Sequence, residues 1–585
     1  MNKWGKIMYD IGTKSVLVIF GAIILYLTLL SVFGTCVEAV RVYDNGSMSN
    51  YAYFLPDNAL KHLVVFIGFV VVLLLIYSFQ KRFSIQRNAY LYVGIICVLF
   101  FVVALSFILL TRYKLGSDSS KVLSVANDFL AGDFHQFEQG GYMFKYPFQS
   151  GFMLYMCVFI LVFGESAVLI MQIANIVFLI AAYYHIAKIV DLFWNRKKTV
   201  IATVLMFAVS LPMLFYTTFV YGNYIGFMFA LMAIYQELML FRDEKTYRFF
   251  LSAIFISMAI IFKSNFLIVI IAMLLVGAAE FLRNGKIALM IKFVGIVLAF
   301  FIIGNQLVTM VMSAALGFDL PKGMPKTTWI VMGLDDGVKA PGTYNGRSGE
   351  IFEENNWDYD AANRVAKEEI KLLLGKYANN WRVGLDLLGR KQASQWNEPS
   401  FMSFCILWGR EDSYQTPEWL RSIVTGKGCV VLLELLNLSQ TIVLAGVCLY
   451  LFFCYKDSSL QELFFAVIFI GGFLFHTFWE AKSQYTMPYF MLLIPYMVRG
   501  YERLLYKLTV LIQKFREKEI KVEKQLLFKR ALIAICVIIV IVPAVGRLGK
   551  MKTVRYIFAP VSDEELLMQY EQQIDRITSG EAYFY

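Results

Sequence analysis

An acid and a base stand at either end of a polar insert. In the stretch 116–164, GSDSSKVLSVANDFLAGDFHQFEQGGYMFKYPFQSGFMLYMCVFILVFG, Asp118 precedes an amphipathic run and Lys145 precedes Tyr146-Pro147 and an apolar segment. A carboxylate held at a membrane surface, partly stripped of water, can take a proton from a hydroxyl nucleophile. A fixed ammonium at the same depth can hold an anionic headgroup or a phosphate. Each residue also has a plainer use. Val122, Val125, Ala126, Phe129 and Leu130 recur at helical spacing, so Asp118 suits a cap on the free N–H groups of a helix. Lys145 equally suits a lysine that snorkels to the interface. Asp133, His135 and Glu138 crowd the same insert. They read as a second acid or a divalent-cation site, or as solvated loop.

The elements that must position these residues are apolar. The 585 residues are 59% hydrophobic and 17% charged, with a mean hydropathy of +0.61, which leaves too little polar surface to cover a soluble particle. The chain reads as an all-α polytopic membrane protein. The net charge of +11 lies largely in short loops beside apolar runs, where it orients spans. No recognition motif accompanies it, so nucleic acid is not expected as a partner. The eight cysteines form no CxxC pair and the four histidines are dispersed, which argues against a disulfide frame or a zinc site. Walker A, GxSxG and HExxH are absent.

Lys3, Lys6 and Lys14 before the run 15–36 place the N-terminus in the cytoplasm. Spans follow at 62–80 and 89–111. The segment 148–163 is short for a crossing, and a full crossing would leave Arg196, Lys197 and Lys198 outside. It is therefore read as interfacial or re-entrant. Further spans at 166–190, 200–219, 222–241, 249–262, 265–282, 287–315, 429–454, 459–478, 485–502 and 531–546 bring the expected total to about thirteen, with the C-terminus exterior. The expected units are two N-terminal spans (1–88), a core (89–315) with an exterior loop at 112–165, a large exterior loop (316–428), and C-terminal core helices (429–503). A basic amphipathic segment (504–530), suited to anionic lipid, and a last span with its tail (531–585) complete the chain. Within the large loop a helix is expected around 359–377, and Trp381, Arg390, Lys391, Trp396, Asn397 and Glu398 form an aromatic and charged cluster. That cluster could bind an acceptor, or the loop could simply pack its own tryptophans.

Asp118, the amphipathic stretch ending Ala131-Gly132-Asp133, and FKYPFQSGFMLYMCVFILVFG together resemble the first exterior loop of the GT-C membrane glycosyltransferases. The branch meant is the protein mannosyltransferase-like and aminoarabinose transferase-like one. The segment ending WNRKK, Pro212 in SLPMLFYTTFVYGN, and WEAKSQYTMPYFMLLIP from Trp479 to Pro495 continue the likeness. Ser119 stands where that family often has a second acid, Phe148 where it has a second Pro, and Gln484 where an Arg commonly precedes the late Tyr, with Lys482 as the available cation.

The resemblance implies a GT-C-like fold in the cell membrane, with exterior juxtamembrane helices and one large exterior loop. It also implies transfer of a sugar from a polyprenyl-phosphate donor to an extracytoplasmic glycan, lipid or protein. Under it Asp118 is the base or the carboxylate that orients the acceptor, Lys145 and Lys482 hold the donor phosphate, and Glu480 and Tyr485 line the substrate cavity. Asp133, His135, Tyr146 and Trp396 are candidates for the same cavity. No cofactor is required by this scheme, although a divalent cation is compatible with it. A transporter or flippase of lipid-linked glycans is the alternative, and it would place acids midway through spans.

Overall fold

A computed structural model describes residues 3–42, 48–80, 88–336, 340–407, 417–424 and 427–517. The described residues are helical apart from turns and one antiparallel hairpin, Gly34–Val42 paired with Met48–Pro56. Among the described residues, eight helical stretches are long and apolar enough to cross a membrane. A ninth arises if the bent pair Lys197–Ala208 and Leu211–Thr218 is one span. This is a multi-pass membrane protein.

The expected thirteen spans are not reached among the described residues. Thr246–Phe262 and Phe464–Phe478 are shorter than a bilayer-spanning helix. The expected span 485–502 is divided between Ser483–Met491 and Ile494–Glu517, the second of which continues into the basic stretch. The span 531–546 and the tail lie outside the described residues.

The segment 148–163 forms the helix Ser150–Phe163 and is followed by Ala167–Trp194. Gly164, with φ 53°, ends the first helix. The chain folds back there, because Tyr155 and Phe178, on opposite sides of that turn, bring their ring centroids to 6.5 Å.

The helix Lys3–Phe33 packs against Lys427–Cys454, Leu267–Arg283 and Phe464–Phe478. Its Phe20, fully buried, meets Phe469 at 5.8 Å and Tyr496 at 5.6 Å. The first span is thus part of the core. The hairpin that follows was not foreseen in the polar loop after residue 36, although Val37, Val40, Val42, Tyr51 and Tyr53 are residue types that favour strands. Beyond it, Lys61 pairs with Asp57 at 2.6 Å and with Glu434 at 2.5 Å.

Residues 316–424 include a helical insert with its own small core, in which Met332, Ile351, Phe352, Ala362 and Ala366 are buried together. The expected helix near 359 is present as Tyr359–Asn379, and the Asp358 side chain accepts from Ala361 N at 2.6 Å at its start. The insert seats on the membrane helices by stacking Trp329 on Trp479, with centroids 5.8 Å apart and planes 5° from parallel.

Candidate active site

The amphipathic run forms the helix Ser117–Leu130, burying Val122, Val125 and Ala126. Its cap position is Gly116, in extended conformation, and Asp118 falls in the first turn. The Asp118 carboxylate accepts from the Tyr221 hydroxyl at 3.2 Å, while the neighbouring Ser119 hydroxyl donates to the Val220 carbonyl. Two successive side chains therefore tie the head of this helix to the segment 220–221. A charge-assisted bond of this kind contributes about 1.5–3 kcal/mol.

Gly222 places Tyr221. Its φ is 74°, and a Cβ there would collide with the Phe262 carbonyl, so only glycine allows the two backbones to approach this closely. The residue after Phe262 is Lys263. It is extended, with φ −154°, in the joint between Thr246–Phe262 and the turn Ser264–Phe266. Its Nζ lies 3.5 Å from the centroid of the Tyr221 ring and 5.8 Å from that of Tyr485. One tyrosine thus takes the acid on its hydroxyl and the base on its face. Removal from water brings the Lys263 ammonium down to about 7, against the pull of Asp118 and Glu480 and with the push of Lys482.

The third element arrives from the C-terminal core. Lys482 is again an extended residue at a helix joint, with φ −151°, just before Ser483–Met491. Its Nζ pairs with Glu480 at 3.1 Å, and the Tyr485 hydroxyl donates to the other oxygen of Glu480 at 3.4 Å. Burial opposes the charge on Lys482, but Glu480, Tyr485 and Asp118 outweigh it and hold the ammonium above its ordinary value. Tyr146 faces the same cluster. Its hydroxyl is pushed up by burial first and then by Tyr344, Asp118 and Glu480.

The structure thus brings Asp118, Tyr146, Glu480, Lys482 and Tyr485 together and leaves the other candidates elsewhere. The Lys145 ammonium lies over the Trp357 ring at 4.8 Å, and its carbonyl accepts from Met324 N at 3.1 Å, so this lysine serves the contact with the insert. Asp133 and His135 bond each other at 2.7 Å with more than half of each side chain exposed. The His135 backbone N–H first, and then its ring, lower the Asp133 carboxyl, and the bond to Asp133 raises the His135 imidazole. Trp396 is 1% exposed and packs on Phe469 and Phe473, where it fills the core. Among the described residues no three His, Cys, Asp or Glu side chains gather as metal ligands.

Sequence reasoning missed Lys263 and Tyr221. The available signal was a lone lysine between two apolar runs, a position where an ionisable residue needs a reason to be.

No protein-family model matches this chain, and no curated protein does. Among solved structures it is similar to the archaeal oligosaccharyltransferase AglB of Archaeoglobus fulgidus, in complex with an inhibitory peptide and a dolichol-phosphate (11% identity, TM-score 0.39). It is similar also to the Archaeoglobus fulgidus oligosaccharyltransferase in the apo form (11% identity, TM-score 0.40). Each likeness covers 78% of this chain and 56% of the other, so the chain spans little more than half the length of those proteins. Overlap this slight transfers no residue, substrate or activity.

Proposed function

We propose that this protein is a GT-C-type membrane glycosyltransferase that moves a sugar from a polyprenyl-phosphate donor to an extracytoplasmic acceptor. The observation that carries the reading is Tyr221, which joins a carboxylate, Asp118, to an ammonium, Lys263, within reach of the Lys482–Glu480 pair. Asp118 takes the proton from the acceptor hydroxyl. The acceptor oxygen bonds to the anomeric carbon as that carbon's bond to the phosphate oxygen breaks, and the electron pair leaves with the polyprenyl phosphate. Lys263, assisted by Lys482, holds the charge that develops there. Lys263 takes the donor role that the sequence assigned to Lys145.

The positive clusters around residues 196–198 and 283–286 support a site on the exterior face and a cytoplasmic N-terminus. The test is a purified protein in lipid nanodiscs supplied with a labelled polyprenyl-phosphate sugar and an acceptor extract. Asp118→Asn should abolish transfer while the folded yield is unchanged. Full transfer by that variant would overturn the assignment, and mass analysis of surface glycans with and without the gene would identify sugar and acceptor.

A further inference from the structure

The segment that delivers Tyr221 is unwound, and side chains take up its carbonyls. After the short helical turns Leu211–Phe215 and Tyr216–Thr218, the backbone is extended at Phe219, and a helix resumes only at Asn223. Irregular chain between membrane helices needs partners for the peptide groups that a helix would have satisfied. Four carbonyls in a row find a side-chain donor. Asn175 Nδ2 donates to the Thr217 carbonyl at 3.1 Å and to the Phe219 carbonyl at 3.3 Å. Gln172 Nε2 donates to the Thr218 carbonyl at 3.0 Å, and the Ser119 hydroxyl donates to that of Val220.

Gln172 and Asn175 lie on the helix Ala167–Trp194, three residues apart and so on one face, and both are buried. A side-chain amide has two hydrogens, and a backbone carbonyl only accepts. Asn175 uses both hydrogens on the unwound segment. Gln172 uses one there and gives the other to the Tyr113 carbonyl at 2.9 Å. Tyr113 lies five residues before Asp118, and Thr218 lies three before Tyr221. One amide group therefore spans the two stretches of chain that meet in the Asp118–Tyr221 bond.

The sequence around these amides shows how selective their placement is. Gln172 and Asn175 are the two polar side chains in the run 167–182, which is otherwise Ala, Val, Leu, Ile, Met and Phe. An amide buried among such residues is costly unless its hydrogens are used. Here all four are used, and all four go to the chain that frames Asp118 and Tyr221. Neither amide has a hydrogen left to offer a substrate.

We propose that Gln172 is a positioning residue for the site: by holding the Tyr113 and Thr218 carbonyls with one amide it sets the distance between Asp118 and Tyr221, while Asn175 keeps the segment between them and Gly222 unwound. This rests on reading Asp118, Tyr221 and Lys263 as the place of transfer. Gln172 acts on the reaction only through the bond between the acid and the tyrosine. Removing that bond first should therefore leave Gln172 with little further effect on turnover.

The experiment combines a double-mutant cycle with amide hydrogen exchange, both on the full chain in nanodiscs. Gln172→Leu should lose up to about 10-fold in kcat with little change in KM, and should exchange faster than the native protein in 113–119 and 216–222 but not in 246–262. In a Tyr221→Phe background the same substitution should cost less than about twofold more. Losses that multiply in the double variant, or native exchange in both stretches, would overturn the proposal. Exchange needs no substrate: if the native protein transfers no sugar but the exchange pattern holds, the proposed function falls and the clamp on the two stretches stands. If transfer is native in Gln172→Leu, the clamp falls and the proposed function stands. If Gln172→Leu does not fold, Gln172→Met, unbranched like the native side chain, decides by the same two readings.

Discussion

Lys263 and Lys482 stand in nearly the same backbone setting and differ in their company. Each is an extended residue at a joint between helices, and each lies 5.8 Å from the centroid of the Tyr485 ring. Lys482 has a carboxylate 3.1 Å away, whereas the contacts of Lys263 are the tyrosine faces, nearest of all Tyr221. A paired cation spends its charge on its partner, and a cation resting on an aromatic face keeps most of its charge for a ligand. The difference teaches that position alone does not make a phosphate clamp. On the proposed function Lys263 meets the incoming anion, and Lys482 assists it while chiefly holding the shape around it.

Breaking that contrast has its largest effect at Lys263. Lys263→Met should lower kcat by about 100- to 1000-fold, the loss seen when one preorganised charge-stabilising group is removed, and should leave thermal stability close to native. Lys482→Met should do the reverse, leaving Glu480 buried and unpaired at a cost of about 3–5 kcal/mol of stability, read as a fall in the unfolding midpoint. Activity corrected for folded fraction should fall less than in Lys263→Met.

Acidity sharpens the contrast. With its ammonium near 7 in the empty site, Lys263 must take up a proton to bind an anionic donor at higher pH, so Kd should rise up to about tenfold per pH unit above 7. Asp118, Glu480 and Lys482 are the charges facing it. Because the unfolded chain keeps that lysine protonated up to about pH 10, this residue makes the empty protein more stable as pH climbs from 7 toward 10. A flat Kd across pH 6–9 would remove the distinction between the two lysines. The smallest effect expected is at Tyr221→Phe, which keeps the ring under Lys263 and removes the bond to Asp118, for a loss of about 10-fold or less in kcat.

The residues legible in the sequence were those with local signals. Asp118 led an amphipathic helix, and Glu480, Lys482 and Tyr485 followed Trp479 in a recognisable order. What sequence could not supply was pairing across the chain. Lys263 looked like a full stop after the apolar run 249–262, since nothing nearby announces that residue 221 will lie beneath it. Lys145 had the right neighbours in sequence, but Trp357, from the insert, claims its charge. Trp396 lay among charged residues and read either as an acceptor contact or as a tryptophan packed within its own loop. Lys391, Gln395 and Trp396 are nonetheless all buried, because Trp381–Trp396 turns this face against the helix Phe464–Phe478. The hairpin 34–56 was lost among loop residues because a two-stranded ribbon has no hydrophobic period long enough to separate it from a loop.

The distance along the chain between the contacting residues Glu38 and Ser483 has a consequence for biogenesis. Glu38 emerges early from the ribosome, but Ser483 lies 445 residues further on. Contacts of such separation form late and slowly. During synthesis the hairpin must therefore wait, with an acidic side chain and two ribbon edges uncovered, until nearly all the membrane helices have been inserted. A nascent chain halted before residue 398 would carry Asp118, Tyr221 and Lys263 and still lack Glu480, Lys482 and Tyr485, so the cluster is complete only once residues 480–485 have been made.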